Sequence, residues 1–311
     1  MSDAAGRTCP LHYRYGAERI AAAPEVAVET LYVVGGLYGN TQALDTIEAM
    51  AAQEPGPVTL CFNGDFNWFN VDDAGFAAIN QRVLAHTAIQ GNVEAELLAD
   101  TADAGCGCAY PDSVGADTVA RSNHIHARLK ATAQRFPALQ AQLAALPMFA
   151  RFNVGGCRVG VVHGDADSLA GWRFDEANLG SLGDDAWLAE AFARANVDVF
   201  ASTHTCLPAL RQVATQDGLG VVINNGAAGM PNFAGVTQGL VTRISLRPSI
   251  TPTAFGVQCR GIHVDALSVA YDHGAWSQNF LRNWPAQSDA HVSYYNRIQG
   301  QLQYTPAQAL K

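Results

Sequence analysis

Short apolar runs that end in glycine and polar residues recur along this chain. Residues 30–34 (Thr-Leu-Tyr-Val-Val) read as a buried strand closed by Gly35-Gly36. From Thr41 the spacing changes, and Ala43, Leu44, Ile47 and Met50 fall on one face of a helix. Residues 58–62 predict a second strand ending at Asn63-Gly64-Asp65. Residues 74–86 predict a helix, and 87–90 a short strand ending at Gly91-Asn92. Residues 99–122 have no clear period; they read as a structured insertion that leads into a long helix over 123–145. A strand-turn-strand follows, 149–154 and 157–162 around Gly155-Gly156, ending at His163-Gly164. Helical segments are expected over 169–195, then strands at 197–201, 219–224, 239–246 and 260–270, and an amphipathic helix at 273–284. No repeat or linker interrupts the series. The expected organisation is one domain over 1–311, with an irregular leader (1–28), the insertion (99–122) and a C-terminal extension (250–311).

Composition narrows the function classes. The chain has 311 residues, 49% of them apolar and 15% charged, enough for a substantial core. No apolar run reaches the ~20 residues of a membrane helix. The N-terminus lacks a basic patch followed by an apolar stretch, so no signal peptide and a cytoplasmic location are expected. The net charge of −9 argues against a nucleic-acid or anionic-membrane surface. It leaves room for a small phosphorylated substrate, because a bound cation dominates its local field. The seven cysteines are odd in number and form no paired CxxC knuckles, so reduced thiols are expected, with Cys61, Cys157 and Cys259 as core fillers.

The candidate chemistry lies at the strand ends. Asp65, Asn92, His163 and His204 each follow a predicted strand. In layered α/β folds the C-terminal strand ends gather on one rim, where sites are built. Carboxylate, amide and imidazole together suit a divalent transition metal such as Mn, Fe or Zn. The alternative is that the four cap helices or close turns.

In order, the blocks are Gly36-Leu-Tyr38-Gly39-Asn40, Gly64-Asp65-Phe-Asn67, Gly91-Asn92-Val-Glu94, His163-Gly164 and Thr203-His204-Thr-Cys206-Leu-Pro208, closed by Asn225-Gly-Ala-Ala-Gly229. The set resembles the calcineurin-like metallophosphoesterases, whose blocks read roughly D-x-H-G-N, G-D-x-x-D, G-N-H-D/E, H-G and G-H-T-H-x-P. The resemblance spans residues 30–231. It implies an α/β fold: a four-layer α-β-β-α sandwich of two mixed sheets flanked by helices. It also implies that Asp65 bridges two metals and that Asn92, His163 and His204 complete the second site. The first site is altered. Gly36 stands in place of a carboxylate, Tyr38 and Cys206 in place of imidazoles, and Val93 in place of a general-acid histidine.

Three outcomes are open: one metal at the intact site, a second softer metal held by Tyr38, Cys206 and Asp65, or an inert binding scaffold. The leading expectation is a metal-dependent hydrolase of phosphoric esters or related small molecules, with one or two Fe, Mn or Zn ions. The alternative is redox or thiol chemistry at a site modified by Tyr38 and Cys206. Tyr38 reads either as a phenol filling lost metal space or as a ligand or proton donor. Cys206 reads as a buried thiol, a ligand or a nucleophile. Asn40 is expected to cap the helix at Thr41 or to hold a substrate oxyanion. Glu94 and Asp165 either orient ligands or sit in exposed turns. Cys106-Gly-Cys108 reads as a tight turn. Of His124 and His126, at most one faces the cleft. Phe66, Trp68 and Phe69 either pack inside or form a partner surface.

Overall fold

The computed structural model describes residues 5–99, 104–181, 183 and 185–311. Residues 1–4 of the expected leader, 100–103 of the expected insertion, and 182 and 184 of the expected helical stretch lie outside the described residues. Along the chain run α1 (Ala17–Ala21), β1 (Glu25–Val28), β2 (Thr30–Val34), α2 (Thr41–Gln53), β3 (Val58–Asn63), α3 (Asp73–Val83), β4 (Thr87–Ile89) and α4 (Asn92–Leu98). The middle holds α5 (Ala116–Ala133), α6 (Pro137–Ala144), β5 (Phe149–Val154), β6 (Cys157–Val162), α7 (Glu176–Leu179), α8 (Asp185–Ala195) and β7 (Val199–Ser202). Then come β8 (Pro208–Thr215), β9 (Gly218–Asn225), β10 (Gly239–Ser245), β11 (Thr253–Cys259), β12 (Ile262–Val269), α9 (His273–Asn283) and α10 (Asp289–Ile298).

The strands form two six-stranded mixed sheets, ordered β11-β12-β10-β2-β3-β4 and β1-β5-β6-β7-β9-β8. In the first, β2, β3 and β4 run parallel, with Thr30 opposite Val58 and Cys61 opposite Thr87. In the second, β6, β7 and β9 run parallel, with Val159 opposite Val199 and Val199 opposite Val221. These parallel strands are apolar on both faces, because each sheet is covered twice. Between the sheets lie Leu31, Val33, Cys61, Ile89, Val159, Val161, Val199, Ile223 and Ile244. The outer face of the first sheet packs on α2, α3, α5 and α9 through Leu44, Ile47, Phe76, Ile79, Leu129 and Trp276. The outer face of the second packs on α1 and α8 through Ile20, Leu188, Phe192, Phe200 and Val222. This is the expected four-layer sandwich of two mixed sheets flanked by helices.

Several elements differ from the sequence-based expectation. The long helix over 123–145 is two helices: α5 begins earlier, at Ala116, and Pro137 opens α6 because its ring cannot continue a helix from Phe136. Part of the expected insertion is therefore regular helix. The leader is also ordered in part. It contributes α1 and the edge strand β1, which pairs parallel with β5. β1 is short and largely exposed, so it carries no apolar run to reveal it. Strands β8 and β11 and helix α10 were not anticipated. β8 starts on a proline and alternates only at its exposed end. No helix among the described residues is long and apolar enough to cross a membrane.

The three parallel ends of each sheet meet at one rim. A Cβ on Gly35 would lie 2.3 Å from the Cβ of Thr203, so only glycine lets the β2 and β7 ends approach this closely. Asn225 ties the rim by donating to the carbonyls of Gly35 (3.0 Å) and Leu240 (2.8 Å).

Candidate metal centre

Four side chains from four strand ends converge at this rim. His163 Nε2 stands 3.1 Å from Asn92 Oδ1, 3.3 Å from His204 Nδ1 and 3.4 Å from Asp65 Oδ1. The ligand atoms of Asp65, His163 and His204 all lie within 4.8 Å of one another. All four residues are buried, His163 completely.

Hydrogen bonding behind the ligands sets what they present. His163 Nδ1 donates to the Asn63 carbonyl at 2.8 Å, and His204 Nε2 to the Cys108 carbonyl at 3.2 Å. A carbonyl only accepts, so each neutral ring keeps its proton on that outer nitrogen and turns a lone pair inward. Asn92 Nδ2 donates to the Cys106 carbonyl at 2.8 Å, which fixes its Oδ1 toward the site. The result is four acceptors facing one point, an arrangement that a cation satisfies and that neutral groups alone do not. The titration directions follow from the same contacts, and at His163 a proton competes with a cation for the inward nitrogen. Burial opposes charge on His163, yet the Asp65 carboxylate prevails and pushes its pKa up. Burial and the neighbouring His163 push His204 down to about 3, so its ring stays neutral. Asp65 is depressed: burial raises it, and His163 more than offsets that.

The local backbone is unusual at the same positions. Asp65 (φ 54°), Tyr38 (φ 55°) and Cys206 (φ 65°) all adopt the left-handed conformation, a strain on the order of 1 kcal/mol or more for each non-glycine residue. The Asp65 turn is held by Glu94, whose carboxylate accepts from the backbone N–H of Asp65 (2.7 Å), Phe66 (3.2 Å) and Gly91 (3.1 Å). Glu94 is thus a buried backbone anchor that positions Asp65.

The first-site positions are arranged differently. A Cβ on Gly36 would stand 2.9 Å from Cε2, Cζ and Oη of Tyr38, so the phenol ring occupies the space of a residue-36 side chain. Tyr38 Oη lies 2.9 Å from Cys206 Sγ. Burial pushes the Tyr38 pKa well up, and the neighbouring Cys206 adds to the rise. Burial also pushes the Cys206 thiol up. In the metal-free chain both groups are therefore neutral near pH 7, although a thiol that coordinates a metal gives up its proton. Gly36→Asp alone is expected to leave metal content unchanged, because the new carboxylate meets the Tyr38 ring. Gly36→Asp with Tyr38→His and Cys206→His is expected to add a second Mn, counted by elemental analysis of desalted protein. A triple variant with no added metal would show that the ring is not what blocks the position.

The other candidates fall as follows. Asn40 is fully buried; its Oδ1 accepts from the Ala43 N–H at 2.9 Å and its Nδ2 donates to the Gly229 carbonyl at 3.0 Å. Both ends of the amide are engaged in capping α2 and tying it to the rim, away from the cavity wall. Asp165 closes its own turn by accepting from the N–H groups of Asp167, Ser168 and Arg173. His126 is buried with Nε2 3.0 Å from the Val93 carbonyl, while His124 is exposed beside Asp289. Phe66, Trp68 and Phe69 are all buried, so they form no partner surface.

Sequence reasoning missed two parts of the site. The Cys106-Gly-Cys108 turn acts chiefly through its carbonyls: they receive Asn92, His204 and also Trp172 Nε1 (3.0 Å to the Cys108 carbonyl), and Asn92 Nδ2 also lies 3.4 Å from Cys108 Sγ. No side-chain motif signals a role carried by backbone oxygen. The second is a cavity of about 230 Å³ that opens from the ligands and is lined by Trp68, Val93, Tyr110, Val114, Trp172 and Tyr294. Asp65, Asn92, His204, Tyr38 and Cys206 form its polar end.

No protein-family model matches the chain, and no curated protein matches it in sequence. Solved structures do match. A metallophosphoesterase from Sphaerobacter thermophilus superposes with a TM-score of 0.55 at 14% identity, covering 88% of this chain and 99% of that one. A hypothetical protein from Pyrococcus horikoshii OT3 superposes with a TM-score of 0.56 at 14% identity, covering 85% and 97%. Two six-stranded mixed sheets between helices, with Asp65, Asn92, His163 and His204 on their shared rim, give this chain the calcineurin-like metallophosphoesterase fold.

Proposed function

We propose that this protein is a hydrolase of phosphoric esters or related small molecules, working with one divalent transition metal ion. The observation that carries the reading is the convergence of four inward-facing acceptors, each fixed from behind. The fold it shares with a metallophosphoesterase supports the reaction class. The donor set of one carboxylate, one amide oxygen and two imidazoles fits Mn, Fe or Zn. Asp65, Asn92, His163 and His204 would hold the ion, which when bound supplies Lewis acidity and a water of lowered pKa.

The chain's own residues do the rest. Glu94 holds Asp65 in its strained turn through three backbone N–H groups. The Cys106 and Cys108 carbonyls keep Asn92 and His204 aimed inward. Tyr38 Oη, neutral and facing the cavity, is placed to donate a proton or hydrogen bond to an ester oxygen. The apolar walls exclude bulk water, which strengthens each of these interactions.

The direct test loads purified protein with Mn, Fe or Zn and assays a panel of p-nitrophenyl esters. Metal-dependent release of nitrophenol is the expected result; protein with stoichiometric metal and no turnover on the whole panel would sink the reading. A redox or thiol role for the Tyr38–Cys206 pair has less support, since burial holds both groups protonated. Cys206→Ala is accordingly expected to keep its metal and to change kcat/KM by less than about tenfold, or ~1.4 kcal/mol in the barrier. Loss of activity by several orders of magnitude with metal retained would instead favour the thiol reading.

A further inference from the structure

The cavity beside the ligands restricts what it accepts, and the restriction rests on the hydrolase reading above. Its walls are mostly aromatic or aliphatic (Trp68, Val93, Tyr110, Val114, Trp172 and Tyr294), with Cys108, Thr118 and Thr205 among them. Two of the aromatic polar tips are turned into the protein. Trp172 Nε1 donates to the Cys108 carbonyl, and Tyr110 Oη lies 3.0 Å from Ser122 Oγ. Thr205, also on the wall, accepts from Asn224 at 2.9 Å. An occupant with many hydrogen-bonding edges, such as a nucleobase, would leave its own groups unpaired at about 1–3 kcal/mol each. A ring or hydrocarbon group loses nothing there.

Charge adds a second restriction. No Lys or Arg lines the cavity among the described residues. The nearby Arg297 is turned away, donating to the carbonyls of Pro231 (2.8 Å) and Cys206 (2.7 Å). A divalent ion, the Asp65 and Glu94 carboxylates and the Arg297 guanidinium beside Cys206 would together carry one net positive charge. That balances a single negative charge on the reacting group. A dianion would leave an uncompensated charge against apolar walls, which is costly. The volume, about 230 Å³, is below the roughly 300–1,000 Å³ of sites for drug-sized ligands, so it takes one ring-sized group.

We infer that the site selects small esters that carry one aryl substituent and no more than a single negative charge at the reacting centre. A phosphodiester or phosphonate monoester is preferred over a phosphomonoester dianion. The substituent lies between Trp68, Trp172 and Tyr294, and the charged end faces Asp65, Asn92 and His204.

A matched set of ligands tests this by calorimetry and quenching of tryptophan fluorescence on Mn-loaded protein. Methyl phenylphosphonate and phenylphosphonate share the ring and differ by one charge; methyl ethylphosphonate keeps the charge and lacks the ring. The monoanionic aryl ligand is expected to bind about tenfold or more tighter than either comparison ligand, a difference of ~1.4 kcal/mol. Val114→Trp, which fills the cavity without touching a metal ligand, is expected to abolish the preference for the ring while Mn content stays the same. If that variant does not fold, the ligand series on the unaltered protein decides alone. Equal or tighter binding of the dianion, or indifference to the ring, would overturn the inference. The expected binding order without turnover of any ester would support the inference and reject the hydrolase. Faster turnover of p-nitrophenyl phosphate than of methyl p-nitrophenyl phosphate would overturn the inference and leave the hydrolase standing.

Discussion

Replacing His163 by alanine is expected to remove metal binding, lowering Mn affinity by well over a hundredfold. His163 is the centre of the cluster: its Nε2 is 3.1–3.4 Å from each of the other three inward-facing atoms. Losing even a group that only orients a ligand typically costs about 10–100-fold, and loss of the ligand itself costs more. The loss should be visible in two ways. Elemental analysis of desalted protein is expected to give about one Mn per chain before the change and close to none after it. Heating in excess Mn separates the two further, because a ligand at a hundred times its Kd adds about 2.7 kcal/mol to the folded state. The unaltered protein gains that increment and the variant does not. Metal-free protein is the control. The lost hydrogen bond to the Asn63 carbonyl destabilises the variant by about 1–3 kcal/mol with or without Mn, so only the Mn-dependent difference reports on the site. An alanine variant that still carries stoichiometric Mn would mean that the four acceptors are not the binding site.

The largest expected change in stability comes from a site far from the cavity. Arg243 on β10 and Glu54 after α2 form a buried pair, with side chains 0% and 1% exposed. The guanidinium grips the carboxylate at two points, Nε to Oε1 at 2.6 Å and Nη2 to Oε2 at 3.0 Å, and Tyr32 Oη donates to Oε1 at 2.7 Å. Arg243→Met leaves the carboxylate buried and unpaired, and is expected to cost about 3–5 kcal/mol. Adding Glu54→Leu is expected to recover part of that loss, because much of the penalty lies in the orphaned charge; Asp265, whose Oδ2 lies 3.7 Å from Arg243 Nη1, stays without its cation. Urea unfolding of the single and double variants checks both statements; a double variant as unstable as the single one would refute the second.

The pair also carries a pH signature. Burial raises the Glu54 pKa, but Arg243 and then the Tyr32 hydroxyl outweigh it, and the net direction is down. A carboxyl that is more acidic in the folded chain than in the unfolded one stabilises the fold above the ordinary carboxylate range. That contribution is lost as pH falls through the folded value. In Arg243→Met the buried carboxyl loses its partner and its pKa moves the other way. The deficit of the variant should therefore be largest near pH 7 and shrink at pH 4.

Legibility in the sequence was uneven, for reasons that can be named. β2, β3 and β6 were readable because each is a mostly apolar run with a glycine one or two residues beyond its end, the pattern of a strand largely buried on both faces. β1 and β11 were not, because they are sheet edges with mixed exposure and carry little apolar signal. α5 and α6 merged into one expected helix because helical spacing continues across Pro137, and only the proline ring ends it. In the site, Asn40 offered two readings, and its amide geometry places it as a cap.

The amino-acid sequence by itself determined where the strands end and which polar residues stand there. Local spacing and turn chemistry suffice for that, so Asp65, Asn92, His163 and His204 could be named together without coordinates. What the tertiary structure decided is which way groups face. The Tyr38 ring lies over Gly36, the Cys106 and Cys108 carbonyls aim two of the ligands, and aromatic residues from positions 68, 110, 172 and 294 close one apolar cavity. These residues are far apart in the chain and share no period. Their contacts exist only because two sheets pack face to face and bring their parallel ends to a single rim.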